Sequence, residues 1–131
     1  MLKRLLLVQA RMGSTRLPGK VLLDIGGKTM LERVVARARR ARTADEVAVA
    51  TSLSPGDDAV VREAGRLGLR AYRGSEERVL DRYYEAAKAF GADVVIRVTA
   101  DCPLIDPEII DKVVNAFSAA RPSADFATNT L

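Results

Sequence analysis

Between Gln9 and Lys20 the chain reads Gln9-Ala10-Arg11-Met12-Gly13-Ser14-Thr15-Arg16-Leu17-Pro18-Gly19-Lys20. Arg11, Arg16 and Lys20 supply positive charge, Ser14 and Thr15 supply hydroxyls, and Gly13 and Gly19 let the backbone turn its N–H groups toward a ligand. That is the inventory for cradling and neutralising a polyphosphate. A basic, flexible surface turn would have the same composition. The phosphate reading is favoured because the segment follows directly on the apolar run Leu5 to Val8. It is not a Walker A loop: five residues rather than four separate Gly13 from Gly19, and Val21 stands where the magnesium-binding hydroxyl belongs. Gly27-Lys28-Thr29 is a decoy, with Leu22 at the position of the required upstream glycine, and no G-x-G-x-x-G dinucleotide fingerprint occurs.

A second segment, Thr99-Ala100-Asp101-Cys102-Pro103-Leu104-Ile105-Asp106-Pro107, follows another apolar run. A carboxylate immediately after a buried strand has little structural purpose unless it meets a cation. Magnesium in phosphoryl transfer is typically held by one or two carboxylates and phosphate oxygens, so Asp101 is read as a metal ligand. The alternative is a turn-forming or capping Asp, and for Asp106 the capping role is favoured. Cys102 is expected to be a small buried residue beside the site. With no His and no second Cys, nothing activates it as a nucleophile.

These segments must be held by elements around them. Leu5–Val8, Val47–Ala50 and Val94–Val98 are runs typical of strands buried on both faces of a parallel sheet. Thr29 and Glu32 form a capping box ahead of a helix facing inward through Leu31, Val34, Val35 and Ala38. Ser54 and Pro55 open a second helix carrying Val60, Val61, Ala64 and Leu67, closed by Gly68, and Leu69 to Tyr72 form a short strand. Ser75 is expected to cap a third helix with Val79, Leu80, Tyr83, Ala87 and Phe90 inward, ended by Gly91. Asp106 and Pro107 open a fourth through Ile110, Val113, Val114 and Phe117. Strict alternation predicts a three-layer α/β fold with a mostly parallel sheet, which binds ligands at the carboxyl ends of its strands. A further strand is expected at Asp125–Ala127, after which the chain reads as interrupted.

Composition narrows the function classes. The 131 residues are 48% hydrophobic and 29% charged, the balance of one nucleotide-binding α/β domain spanning 1–131. No apolar run reaches the roughly 20 residues of a membrane span, and the start lacks a signal-peptide cleavage site, so a cytoplasmic protein without a membrane partner is expected. One Cys and no His exclude an internal disulfide, most zinc sites and His-based triads. The net charge of +4 could indicate nucleic acid, but three Tyr, three Phe and no Trp provide no stacking stripe. The cluster Arg37, Arg39, Arg40 and Arg42 reads as a solvated helix end.

Taken together, Ala10-Arg11 through Ser14 and Arg16-Leu17-Pro18-Gly19-Lys20 resemble the signature of the cytidylyltransferase family. That family includes CMP-KDO synthetases, acylneuraminate cytidylyltransferases and the spore coat polysaccharide biosynthesis protein F group. The last is the nearest, through Gly74-Ser75-Glu76-Glu77-Arg78-Val79-Leu80-Asp81-Arg82-Tyr83, the Arg97 to Pro107 block and Thr128-Asn129-Thr130. The resemblance implies a Rossmann-like nucleotidyltransferase (nucleotide-diphospho-sugar transferase) fold, of which this chain is the N-terminal half. It implies CMP transfer from CTP to an acidic sugar in cell-surface or spore coat polysaccharide biosynthesis, with Mg2+ and with a homodimer allowed. Arg11, Arg16 and Lys20 would contact the triphosphate and act in catalysis. Gln9, Ala10, Ser14, Arg73, Gly74, Ser75 and Thr99 would bind the nucleotide, and Asp101 the magnesium. The chain lacks the Ser-Gly-Thr turn with which CMP-KDO synthetases read the base. A nucleotidyltransferase using another base, or a non-catalytic nucleotide- or sugar-binding module, are the alternatives.

Overall fold

The computed structural model describes residues 2–129. Strands β1 (Arg4–Gln9), β4 (Glu46–Ser52), β5 (Ala71–Gly74) and β6 (Val94–Thr99) form a sheet in the order β5-β4-β1-β6, with every neighbouring pair parallel. β1 and β4 lie in its middle, which is why their apolar residues run without polar interruption. Their alternate side chains point to opposite faces. Leu6, Val8 and Val49 pack on one side with α1 (Met30–Ala38), α2 (Asp58–Arg66) and α4 (Pro107–Ala120), while Leu5, Leu7, Ala48 and Ala50 meet α3 (Val79–Ala89) through Tyr83 and Ala86 on the other. This is the expected three-layer α/β arrangement. No helix among the described residues is long and apolar enough to cross a membrane.

β6, at the sheet's edge, is covered less completely: Val98 is buried, but Val95 and Arg97, on the α3 side, are exposed. A hairpin interrupts the strict alternation, β2 (Asp24–Ile25) pairing antiparallel with β3 (Lys28–Thr29). Its loop, Gly26-Gly27, has φ of 63° and 92°, a two-residue reversal that glycine alone adopts readily.

Thr29 caps α1, its hydroxyl accepting from the Glu32 N–H at 3.1 Å and donating to Glu63 of α2 at 2.6 Å. The Glu32 carboxylate does not close a capping box; it pairs with Arg66, which also binds Glu63. Ser54 precedes a short 3-10 turn, Pro55–Asp57, and α2 proper begins at Asp58. β5 lies two residues later than the expected Leu69–Tyr72. On α3 the inward stripe is Val79, Arg82, Tyr83 and Ala86, so Leu80 faces solvent, 82% exposed, against the expectation that it would point inward.

Asp125–Ala127 is not a strand. After α4 the chain turns through Ser123 and Ala124, whose N–H groups return to the Ala120 carbonyl, and Phe126 is left 79% exposed with no strand beside it among the described residues. Thr130 of the expected Thr128-Asn129-Thr130 block lies outside the described residues.

Candidate functional site

The strand order fixes where a ligand site can form. The chain proceeds from β1 to β4 and β5 on one side, then returns to place β6 on the other side of β1. The loops leaving β1 and β6, which lead to α1 and α4 on the same face, lie side by side at the carboxyl ends of these adjacent strands, and the crevice between them is at the position where open α/β sheets bind ligands. These are the two loops whose residue types suit phosphate and metal. The Ala100 N–H donates to the Gln9 carbonyl at 2.9 Å, holding their bases together, and Lys20 Nζ stands 3.4 Å from Asp101 Oδ2 across the crevice.

The first loop is shaped from within. The Met12 N–H donates to Asp57 Oδ1 at 2.7 Å, and the other Asp57 oxygen accepts from the Ser52 hydroxyl; Asp57 is 3% exposed. The Gly19 N–H returns to the Met12 carbonyl at 2.8 Å, and Gly19 has φ 72°, a left-handed conformation that other residues adopt at a cost. Ser14 Oγ accepts from the Leu17 N–H at 3.2 Å, so its hydroxyl first shapes the loop. Arg11 and Lys20 are half-buried at the two ends of the loop, and Arg16 is exposed. Arg11 reaches the Glu76 carbonyl at 3.3 Å.

In the second loop, Thr99 Oγ1 donates to Asp101 Oδ1 at 2.8 Å. That hydrogen bond, followed by Lys20, holds the Asp101 carboxyl below its ordinary range despite partial burial, so it stays ionised. Among the described residues no group of three or more His, Cys, Asp or Glu side chains could hold a metal. One ionised carboxylate facing a cationic loop does fit a magnesium ion that keeps its waters and takes its other ligands from phosphate. Asp106 is the α4 cap, accepting from the Glu108 N–H at 2.8 Å. Cys102 is exposed rather than buried, in a loop that follows the edge strand β6. Arg37 is not wholly solvated: its Nε donates to the Ile105 carbonyl at 2.5 Å and braces the second loop from α1.

The remaining candidates are Gln9, on β1, and the segment from Arg73 to Ser75 at the end of β5. Gln9 Oε1 accepts from the Tyr83 hydroxyl at 2.8 Å, with the Arg97 guanidinium over the Tyr83 ring. Arg73 is engaged in structure, donating to the Ser52 and Ser54 carbonyls at 2.9 and 2.8 Å and pairing with Asp58 at 2.6 Å. Gly74 is buried beneath α3, and Ser75 Oγ accepts from the Arg78 N–H while α3 itself starts at Val79. Two buried charged residues, Asp57 and Arg82, escape sequence reading. Asp57 offers no local signal, whereas Arg82 betrays itself as a cation at i+3 on the stripe from Val79 to Ala86. A cavity of about 1000 Å3 runs along β6 and α4 and borders the second loop from its far side, at Thr99 and from Cys102 to Asp106. Its mainly apolar lining does not suit a triphosphate, so the crevice between the loops is the better candidate.

A parallel sheet with a cationic loop and a carboxylate at its reversal point defines an α/β protein whose ligand site lies at the strand ends. The cytidylyltransferase family model matches residues 5–130, and the chain belongs to that family. It is 43% identical over 116 residues to the spore coat polysaccharide biosynthesis protein SpsF of Bacillus subtilis, covering 86% of this chain and 48% of that protein. Among solved structures, a cytidylyltransferase from Leptospira borgpetersenii superposes with a TM-score of 0.88 at 38% identity, covering 93% of this chain and 51% of the other. A CMP:2-keto-3-deoxy-manno-octonic acid synthetase in complex with CTP gives 0.81 at 33% identity, covering 92% and 49%. The chain spans about half the length of these relatives.

Proposed function

We propose that this chain forms the nucleotide-binding half of a cytidylyltransferase that moves CMP from CTP to an acidic sugar, releasing pyrophosphate, in cell-surface or spore coat polysaccharide biosynthesis. The observation that carries the reading is the meeting of the Arg11–Lys20 loop with Asp101 across the strand-order reversal, at 3.4 Å between Lys20 and Asp101. It is supported by family membership and by the likeness to a synthetase whose structure contains CTP.

In this reading a sugar hydroxyl attacks the α-phosphorus of CTP in line. The new bond joins the sugar oxygen to phosphorus, and the bond to the bridging oxygen breaks as pyrophosphate departs. Arg11, Arg16 and Lys20 act on the charge carried by the phosphates, and backbone N–H groups of the loop, with Gln9, Ala10 and Ser14, orient the nucleotide. Gly74, Ser75, Arg73 and Thr99 border the remainder of the nucleotide. Asp101 would hold magnesium, which contributes further neutralisation of the phosphates. A cytoplasmic homodimer with no nucleic-acid or membrane partner completes the proposal.

Calorimetric titration with CTP, UTP, GTP and ATP in the presence of magnesium tests it. Magnesium-dependent preference for CTP, abolished in Asp101→Ala, is the expected result, while failure of every nucleotide to bind would refute the reading. In an active full-length relative, replacing the residue matching Lys20 or Asp101 by Ala should slow turnover about a hundredfold or more. Nucleotide binding without pyrophosphate release in any longer form would indicate a binding module instead.

A further inference from the structure

α3 buries a charge where its packing stripe calls for an apolar residue. Arg82 is 1% exposed, and its stem packs so closely under β5 that a Cβ added to Gly74 would lie 2.9 Å from Arg82 Cγ. Nε, Nη1 and Nη2 are all buried without a hydrogen-bond partner among the described residues. An unpaired guanidinium is among the least favourable groups to desolvate, and a Leu or Met would fill the same space without that penalty.

The charged and polar groups acting on Arg82 are Arg11, Tyr83, Asp57 and Glu76. None of them pairs with it. Asp57 is committed to the Met12 N–H and the Ser52 hydroxyl, and Tyr83 donates to Gln9. Arg11 repels it, and its own contact is the Glu76 carbonyl at 3.3 Å, long and exposed. Arg11 thus meets the carbonyl of Glu76, two residues beyond the Gly74 under which Arg82 lies, and neither guanidinium has an ion pair among the described residues. An anion is the chemical group that would resolve both.

We propose that Arg82 is an inner cation of the nucleotide site, donating from beneath Arg11 to a phosphate oxygen of the bound nucleotide. This rests on the reading of the Gln9–Lys20 loop as a triphosphate site. Arrival of the phosphate exchanges the weak Arg11–Glu76 contact for charge-assisted bonds and brings an acceptor to the stranded Arg82 donors.

The test is calorimetric titration of inorganic tripolyphosphate, CTP and cytidine into wild type, Arg82→Met, Arg82→Gln and Lys20→Ala, with thermal melts confirming that each is folded. Arg82→Met should bind tripolyphosphate and CTP roughly tenfold or more weakly while binding cytidine as wild type does. Unchanged tripolyphosphate and CTP affinity in Arg82→Met, with binding lost in Lys20→Ala, would overturn the role of Arg82 and leave the loop reading standing. An equal loss of cytidine binding would overturn it too, marking a general packing effect. If the wild type binds neither phosphate ligand, both readings fall. Should Arg82→Met not fold, Arg82→Gln decides: weakened tripolyphosphate binding supports the assignment and unchanged binding refutes it.

Discussion

The two loops that meet across the crevice are held by different means. The loop after β1 is fastened from the interior, through Asp57 to the Met12 N–H and through Gly19 to the Met12 carbonyl, and Val21 at its end is buried. The loop after β6 is fastened at its root by buried Ala100 and at its far end by Arg37. Between them, Asp101 is set by exposed contacts to Thr99, Lys20 and the Cys102 thiol. Under the proposed function, donors that meet a phosphate gain from being fixed before the ligand arrives, because no ordering is then needed on binding. A carboxylate that must trade a lysine for a ligand gains from being adjustable. The fold thus makes one side of the site rigid and leaves the other responsive.

Substitutions should separate the two sides. The largest effect is expected for Asp57→Ala, which strands the half-buried Met12 N–H and the buried Ser52 hydroxyl. It should lower stability by about 3 kcal/mol in denaturant unfolding, and a loss below about 1 kcal/mol would mean the first loop is not anchored from inside. Gly19→Ala should cost about 1–2 kcal/mol by the same measurement, since its φ is 72° and the added methyl would meet Met12 Cε at 3.3 Å. Asp101→Ala should change stability by no more than about 0.5 kcal/mol, because its side chain is 45% exposed and its contacts lie at the surface. A large destabilisation there would erase the distinction between the loops.

Much of the scaffold is legible because its determinants are local. The β1 and β4 runs, the Thr29 cap and the Asp106-Pro107 start are each decided by a few adjacent residues, whereas the strand order that creates the reversal point comes only with the structure. Gly26-Gly27 carries a hairpin signal that the Gly27-Lys28-Thr29 decoy overlapping it obscures. Residues defined by distant partners are less accessible. Asp57 looks like part of a helix opening, yet it serves Met12, 45 positions away. Arg73, placed with the nucleotide from its neighbours in sequence, is occupied by Ser52, Ser54 and Asp58. Hydrophobicity alone assigns Leu80 inward, whereas the helical phase set by Tyr83 and Ala86 turns it outward and draws Arg82 in. Asp125–Ala127 has strand-like residues but no strand beside it among the described residues.

Thr29, Glu63, Arg66 and Glu32 close a ring in which every member depends on the next: the Thr29 hydroxyl caps α1 and binds Glu63, Glu63 holds Arg66, and Arg66 reaches back to Glu32 in the first turn of α1. Helix ends ordinarily fray one at a time. Here the beginning of α1 and the end of α2 share their partners, so opening either end breaks contacts of the other, and amide exchange is expected to rise together at both ends in Glu63→Ala.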